Sequence, residues 1–330
     1  MTTVEIIALV ASAIARLAAV AAVGYVVFRF RLLRWKAHYV MSKAVIYVTL
    51  PALLFSRLAD ANSLLALYGR WYLLPLSALG IYAVGGTLAT ISSRMLLAPG
   101  KDRAVNFVMC TFHNAGYLPL VIVRSVFPEH RDLDVLVMIY VMGASPLLWS
   151  VSPAVLSGGK EGRINPWRMV NPPILATLFA FPAMMLGFGE WLETFRIGSL
   201  NLKHYTLTPL SILGELSIPL VLLSLGGTLA KLPVRWPRNP RLVGSIVTAK
   251  LVVLPILALL IVPSLNLGIA LSLIMLVASM QPPALNLMVQ AREFADEETA
   301  ESISEGLLYT YASCLLTLTV FLTILKAMVS

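Results

Sequence analysis

The chain has 330 residues, a formal net charge of +9, 58% hydrophobic residues and only 12% charged ones, with a mean hydropathy of +0.84. Soluble domains are nearer half apolar and one quarter charged, so this composition excludes a disordered chain, a disulfide scaffold and an ordinary soluble enzyme. It indicates a polytopic, all-α membrane protein; long apolar runs argue against a transmembrane barrel, whose strands alternate.

In chain order, ten stretches reach the roughly 20 apolar residues that a bilayer core requires: 5–28, 38–58, 71–94, 104–126, 133–155, 171–190, 208–230, 242–263, 267–290 and 303–327. The first has no basic segment before it and reads as a span, not as a cleaved leader. Cys110 and Cys314 fall in the fourth and tenth stretches and read as free buried thiols. The basic residues sit in short loops, so they set topology; no nucleic-acid partner is expected, and the lipid bilayer is the expected environment. Loops after odd-numbered spans hold 15 Lys and Arg, from Arg29 to Arg292, against 7 on the other side. That bias places the odd loops in the cytoplasm and both termini outside.

Five spans per half make any internal repeat an inverted one. Pro51 in "YVTLPALLFSRLA" and Pro219 in "ELSIPLVLLSLGGTLA" are 168 residues apart, and Asn114 and Asn286 are 172 apart. These offsets suggest a first repeat at 1–156, a cytoplasmic linker at 157–170 and a second repeat at 171–330.

The fourth and ninth spans carry the chemistry. His113, Asn114, Gly116, Tyr117 and Pro119 crowd one, and Gln281, Pro282, Pro283 and Asn286 crowd the other. Proline removes a backbone donor and glycine eases departure from the helix. Such breaks survive in lipid only when buried in protein or lining a wet cavity. The expectation is two discontinuous helices crossing at mid-membrane, with half-helix N-termini that suit a carboxylate. Asn114 and Asn286 are the leading substrate-binding candidates; His113, Tyr117 and Gln281 are further candidates. The alternative reading is a pair of proline kinks with asparagines bridging helices. Lys250, about nine residues into the eighth span, either attracts the anion or snorkels to the headgroups.

"YVTLPALLFSRLA", "HNAGYLPL", "AKLVVLP" and "MQPPALNLMVQAREF", in that order, resemble the auxin efflux carrier family, which includes plant PIN exporters and bacterial carriers for malate or malonate. The resemblance implies a ten-helix, five-plus-five inverted repeat like that of bile-acid symporters and some sodium–proton antiporters. It implies a scaffold of spans 1, 2, 6 and 7 that forms a homodimer, and a mobile unit of spans 3–5 and 8–10. It implies elevator transport of a small organic anion at the crossing of spans 4 and 9, near Asn114 and Asn286, with Pro119 and Pro283 at the crossing. Plant members carry an acid in the third span; 71–96 has none here, so proton linkage through that acid has no residue to use. The short segment at 157–169 matches bacterial members and implies an inner membrane.

No GxxxxGK[ST] signature occurs, so gradients are the expected energy source. No cofactor or metal is expected, and the choice between sodium, a proton and no coupling ion stays open. An ion channel, an intramembrane enzyme and a sensor are the alternatives. The spans lack HExxH and acid pairs, which speaks against an enzyme.

Overall fold

The computed structural model describes residues 3–59, 69–128, 133–158, 172–198, 200–231 and 236–329. Most of the expected linker at 157–170 lies outside these residues, as do Arg131, Lys160, Arg163, Arg168 and Arg235 of the charge count. Seven helices among the described residues are long and apolar enough to cross a membrane. An eighth span forms if Ile174–Met185 and Phe188–Thr194, bent by 63°, count as one. The chain is therefore a helical polytopic membrane protein.

Helix α1 covers Thr3–Arg29. The next span is α2 (Trp35–Ala44), a π turn (Val45–Thr49) and α3 (Leu50–Ala59). Then come α4 (Leu73–Leu96), α5 (Lys101–Thr111), α6 (Tyr117–Val126) and α7 (Leu133–Leu156). Helices α8 (Pro172–Met185) and α9 (Phe188–Thr194) lead to a small hairpin, β1 (Arg196–Ile197) and β2 (Leu200–Asn201), in which Arg196 faces Asn201. Helices α10 (Leu202–Glu215) and α11 (Ser217–Lys231) follow. The next span is α12 (Pro240–Thr248), a second π turn (Ala249–Val253) and α13 (Leu254–Ile261). Helices α14 (Ile269–Ser279), α15 (Asn286–Phe294) and α16 (Glu297–Val329) close the chain.

Both π turns have the same cause. A proline stands just after each, Pro51 in α3 and Pro255 in α13. Proline cannot donate to the carbonyl four residues back and its ring crowds that carbonyl. Widening the preceding turn to five-residue bonds, Leu50 N to the Val45 carbonyl and Leu254 N to the Ala249 carbonyl, relieves the crowding without ending the helix.

Two bundles are packed backbone against backbone at glycines. A Cβ on Gly226 of α11 would lie 1.8 Å from the Ala21 carbonyl oxygen of α1, and one on Gly214 of α10 would lie 2.6 Å from the Leu53 Cα of α3. A Cβ on Gly143 of α7 would lie 2.2 Å from the Pro75 carbonyl oxygen of α4. The first two contacts join α1, α3, α10 and α11; the third joins α4 and α7. Helix α7 of the second bundle is the most buried of the seven long spans. The best apolar window of α7 is 61% buried, against 28% for α1.

Between the first π turn and α11, the Ser217 hydroxyl donates to Thr49 Oγ1 at 2.9 Å. These residues are themselves 168 apart, and each stands two positions before Pro51 or Pro219.

Candidate functional site

Helix α5 stops at Thr111 and α6 resumes at Tyr117. Gly116 caps α6, and Pro119 sits in its first turn, where a missing N–H is harmless. Helix α14 stops at Ser279 and α15 starts at Asn286. Pro282 and Pro283 bias the residues before them toward extended backbone, which holds this second break open.

The two breaks cross and pair in antiparallel fashion, His113 against Pro283. Asn114 N donates to the Pro282 carbonyl at 2.9 Å, and Ala284 N donates to the Phe112 carbonyl at 2.9 Å. The pairing satisfies groups that lipid could not. The prolines act only as acceptors in it, so their missing donors cause no loss.

Side chains extend the crossing. Asn114 Nδ2 donates to the Tyr311 hydroxyl at 3.2 Å, and that hydroxyl donates to the Pro283 carbonyl at 3.1 Å. His113 Nε2 and the Tyr140 hydroxyl are 2.8 Å apart, and the His113 ring meets Tyr82 edge-on at 5.0 Å. His113, Asn114, Tyr82, Tyr140 and Tyr311 are all buried.

A cavity of about 70 Å³ opens beside the crossing. His113, Asn114, Gly116, Tyr117 and Asn286 line it from the breaks, Ile46, Leu50 and Leu54 from the π turn and α3, and Ser145 and Trp149 from α7. It thus lies in the seam between the two glycine-joined bundles. The N-termini of α6 and α15, of ten and nine residues, both end at its wall. A smaller space on the α11 side is lined by Asn114, Tyr117, Val221 and Tyr311.

Other expected site residues stand apart from the cavity. Pro119, Pro282 and Pro283 shape the breaks without lining it. Gln281 is fully buried; its Nε2 donates to the Val277 carbonyl at 2.7 Å and its Oε1 has no partner. Lys250 is fully buried with an unpartnered Nζ. The snorkelling expectation for Lys250 is corrected: its π turn packs against α4, α5 and α16, so the side chain ends in protein rather than at the headgroups. The correspondence of Asn114 with Asn286 also changes. The first break spans residues 112–116 and the second 280–285, one residue longer. Asn286 therefore opens α15 as Tyr117 opens α6, while Asn114 faces the prolines.

Sequence reading missed Tyr311, Tyr82, Tyr140, Ser145 and Trp149. Tyrosine in an apolar helix is most often core, and no spacing marks Tyr311 as Asn114's partner.

A helical membrane protein with two broken helices crossing beside a seam cavity has the build of a transporter. The chain belongs to the membrane transport protein family, which it matches over residues 9–322, and this is the auxin efflux carrier family that its motifs resemble. Among curated proteins it is similar to Protein PIN-LIKES 5 of Arabidopsis thaliana, 23% identical over 90% of this chain and 91% of the relative. It is also similar to Protein PIN-LIKES 1 of the same plant, 22% identical over 86% of this chain and 71% of the relative.

Proposed function

We propose that this membrane transporter is a secondary or potential-driven carrier of a small organic anion, a carboxylate such as an auxin-like acid, malate or malonate. The observation that carries the reading is the seam cavity, where two helix N-termini, Asn114 and Asn286 converge. Helix N-termini favour negative charge through their dipoles and free N–H groups. The asparagines add neutral donors and acceptors without a fixed charge of their own.

Counting the α5–α6 and α14–α15 pairs as broken spans, with α8–α9 as one, gives ten spans in two inverted halves. The Thr49–Ser217 bond supports that symmetry, since equivalent residues meet each other only on the axis relating the halves. The glycine contacts support an elevator. They fasten helices within the scaffold or within the mobile unit, while the crossing and its cavity lie on the seam between them. The scaffold would form the homodimer, and the positive-inside bias puts both termini outside a bacterial inner membrane. An anion moving outward gains about 2.3 kcal/mol per 100 mV, so export needs no bound ion. Sodium or proton coupling is the competing scheme.

The test is charge displacement by reconstituted protein on solid-supported membranes, against a panel of carboxylates, with Asn114→Ala alongside. A saturable signal lost in the variant supports the carrier. Folded protein with no response to any carboxylate, in charge displacement and in radiolabelled uptake alike, rejects the anion reading. Current that never saturates with concentration points to a channel.

A further inference from the structure

We infer that one phospholipid of the surrounding bilayer occupies a cleft between α1, α11 and α16, with its head among the charges at the α16 N-terminus and an acyl chain along an apolar groove. Two cavities meet end to end here. One, of about 490 Å³, is lined by Lys231, Arg238 and Arg292 together with Glu297, Glu301 and Glu305. The other, of about 320 Å³, is walled by apolar and aromatic side chains, including Ala18, Ala21 and Leu229. Leu308 lines both, and Lys231 of the first follows Leu229 of the second by two positions on α11.

The groove opens sideways: Ala312 and Leu315 of α16 line it and are exposed. Its α16 wall, from Leu308 to Leu318, runs roughly 15 Å along the helix. An apolar groove open to lipid takes a chain from the lipid, because the chain leaves a hydrocarbon environment for one of equal polarity and gains close contacts.

The mouth selects the head. Arg238 is already paired with Glu301, and its backbone N–H donates to Glu305. Among the described residues Lys231 and Arg292 have no carboxylate partner; Lys231 lies over the Trp35 ring at 4.5 Å. These two cations suit a phosphate. Glu297 beside them suits an ammonium. A headgroup carrying both, as in phosphatidylethanolamine, complements the mixed lining better than a purely anionic one. The assignment does not depend on what the helix crossing carries.

The experiment uses the full-length protein with phosphatidylethanolamine bearing a diazirine in its acyl chain. Photolysis in nanodiscs should place adducts on α1, α11 and residues 308–318 of α16. Native mass spectrometry should show one retained phosphatidylethanolamine. Ala312→Trp fills the groove and should lower retention at least tenfold; Leu260→Trp, at an exposed position on α13, should leave it unchanged. Lys231→Ala with Arg292→Ala should weaken phosphatidylethanolamine retention while sparing an uncharged diacylglycerol. Adducts scattered over all lipid-facing helices overturn the proposal, as does equal retention in the Ala312→Trp and Leu260→Trp variants. Protection of the groove by a soluble carboxylate instead of lipid also overturns it. If Ala312→Trp fails to fold, the wild-type adduct map decides alone.

Discussion

Tyr311 ties Asn114 to Pro283. One hydroxyl accepts from the Asn114 amide and donates to the proline carbonyl, so a single group of α16 holds both breaks. Tyr311→Phe leaves two buried partners unsatisfied, and each such orphan costs about 1–3 kcal/mol. We expect a clear fall in melting temperature in detergent, and a raised half-saturation for any transported carboxylate. Tyr82→Phe is the control for stability, since the Tyr82 hydroxyl is buried without a partner; it should melt no lower than the wild type.

Lys250 offers the opposite result. An unpartnered buried polar group is a standing penalty, so Lys250→Met, similar in length and apolar, should raise stability by roughly 1–3 kcal/mol. Thermal denaturation in detergent reads this directly. A drop in stability would mean that Nζ is held by an interaction absent from this structure.

The bundle contacts give a paired test at two glycines. Gly226→Ala drives a methyl into the Ala21 carbonyl, and overpacking of this kind costs typically 1–3 kcal/mol or more. Gly244→Ala in α12 meets nothing within 4 Å and should stabilise by about 0.5–1 kcal/mol, the ordinary gain of alanine over glycine in a helix. Folded yield and melting temperature of the two variants should move in opposite directions.

A surface cluster sets an acid response. Lys101 pairs with Asp296 at 2.7 Å and with Glu298 at 2.6 Å. The Lys101 hydrogen bond, with that of Thr299 N, holds the Asp296 carboxyl well below the usual aspartate range. A depressed folded pKa contributes stability that is fully present above the unfolded value of about 3.9. That contribution fades as pH falls toward the folded value. Asp296→Asn should therefore lower the melting temperature slightly at neutral pH in low salt. The gap from wild type should shrink in acid, and in high salt because these charges are exposed. A gap that widens in acid would contradict the sign.

The breaks were legible because proline and glycine act locally: Pro119, Pro282, Pro283 and Gly116 lie in or beside the non-helical segments. Pro51 and Pro219 gave the 168-residue offset that Thr49 and Ser217 share. Asn114 and Asn286 misled at 172 because they are not equivalent: Asn114 lies inside its break, whereas Asn286 opens the helix after the second break, the position Tyr117 holds 169 residues earlier. The burial of Lys250 was open for another reason. Depth along a helix fixes how far a side chain must reach, but not which face it leaves from, and here a π turn decides the packing around it. Tyr311 was invisible because its role arises from tertiary contact, across 197 residues from Asn114.

The innermost clasp of the crossing is main chain: the bonds of Asn114 N and Ala284 N go to carbonyls, and Tyr311 braces them from outside. No side chain is needed to close that clasp. Asn286, which lines the cavity and takes no part in those main-chain bonds, can thus change without breaking them, whereas His113 and Asn114 are buried and bonded to Tyr140 and Tyr311. If the cavity carries the proposed cargo, a substitution at Asn286 can alter what it accepts while the backbone clasp stays as it is.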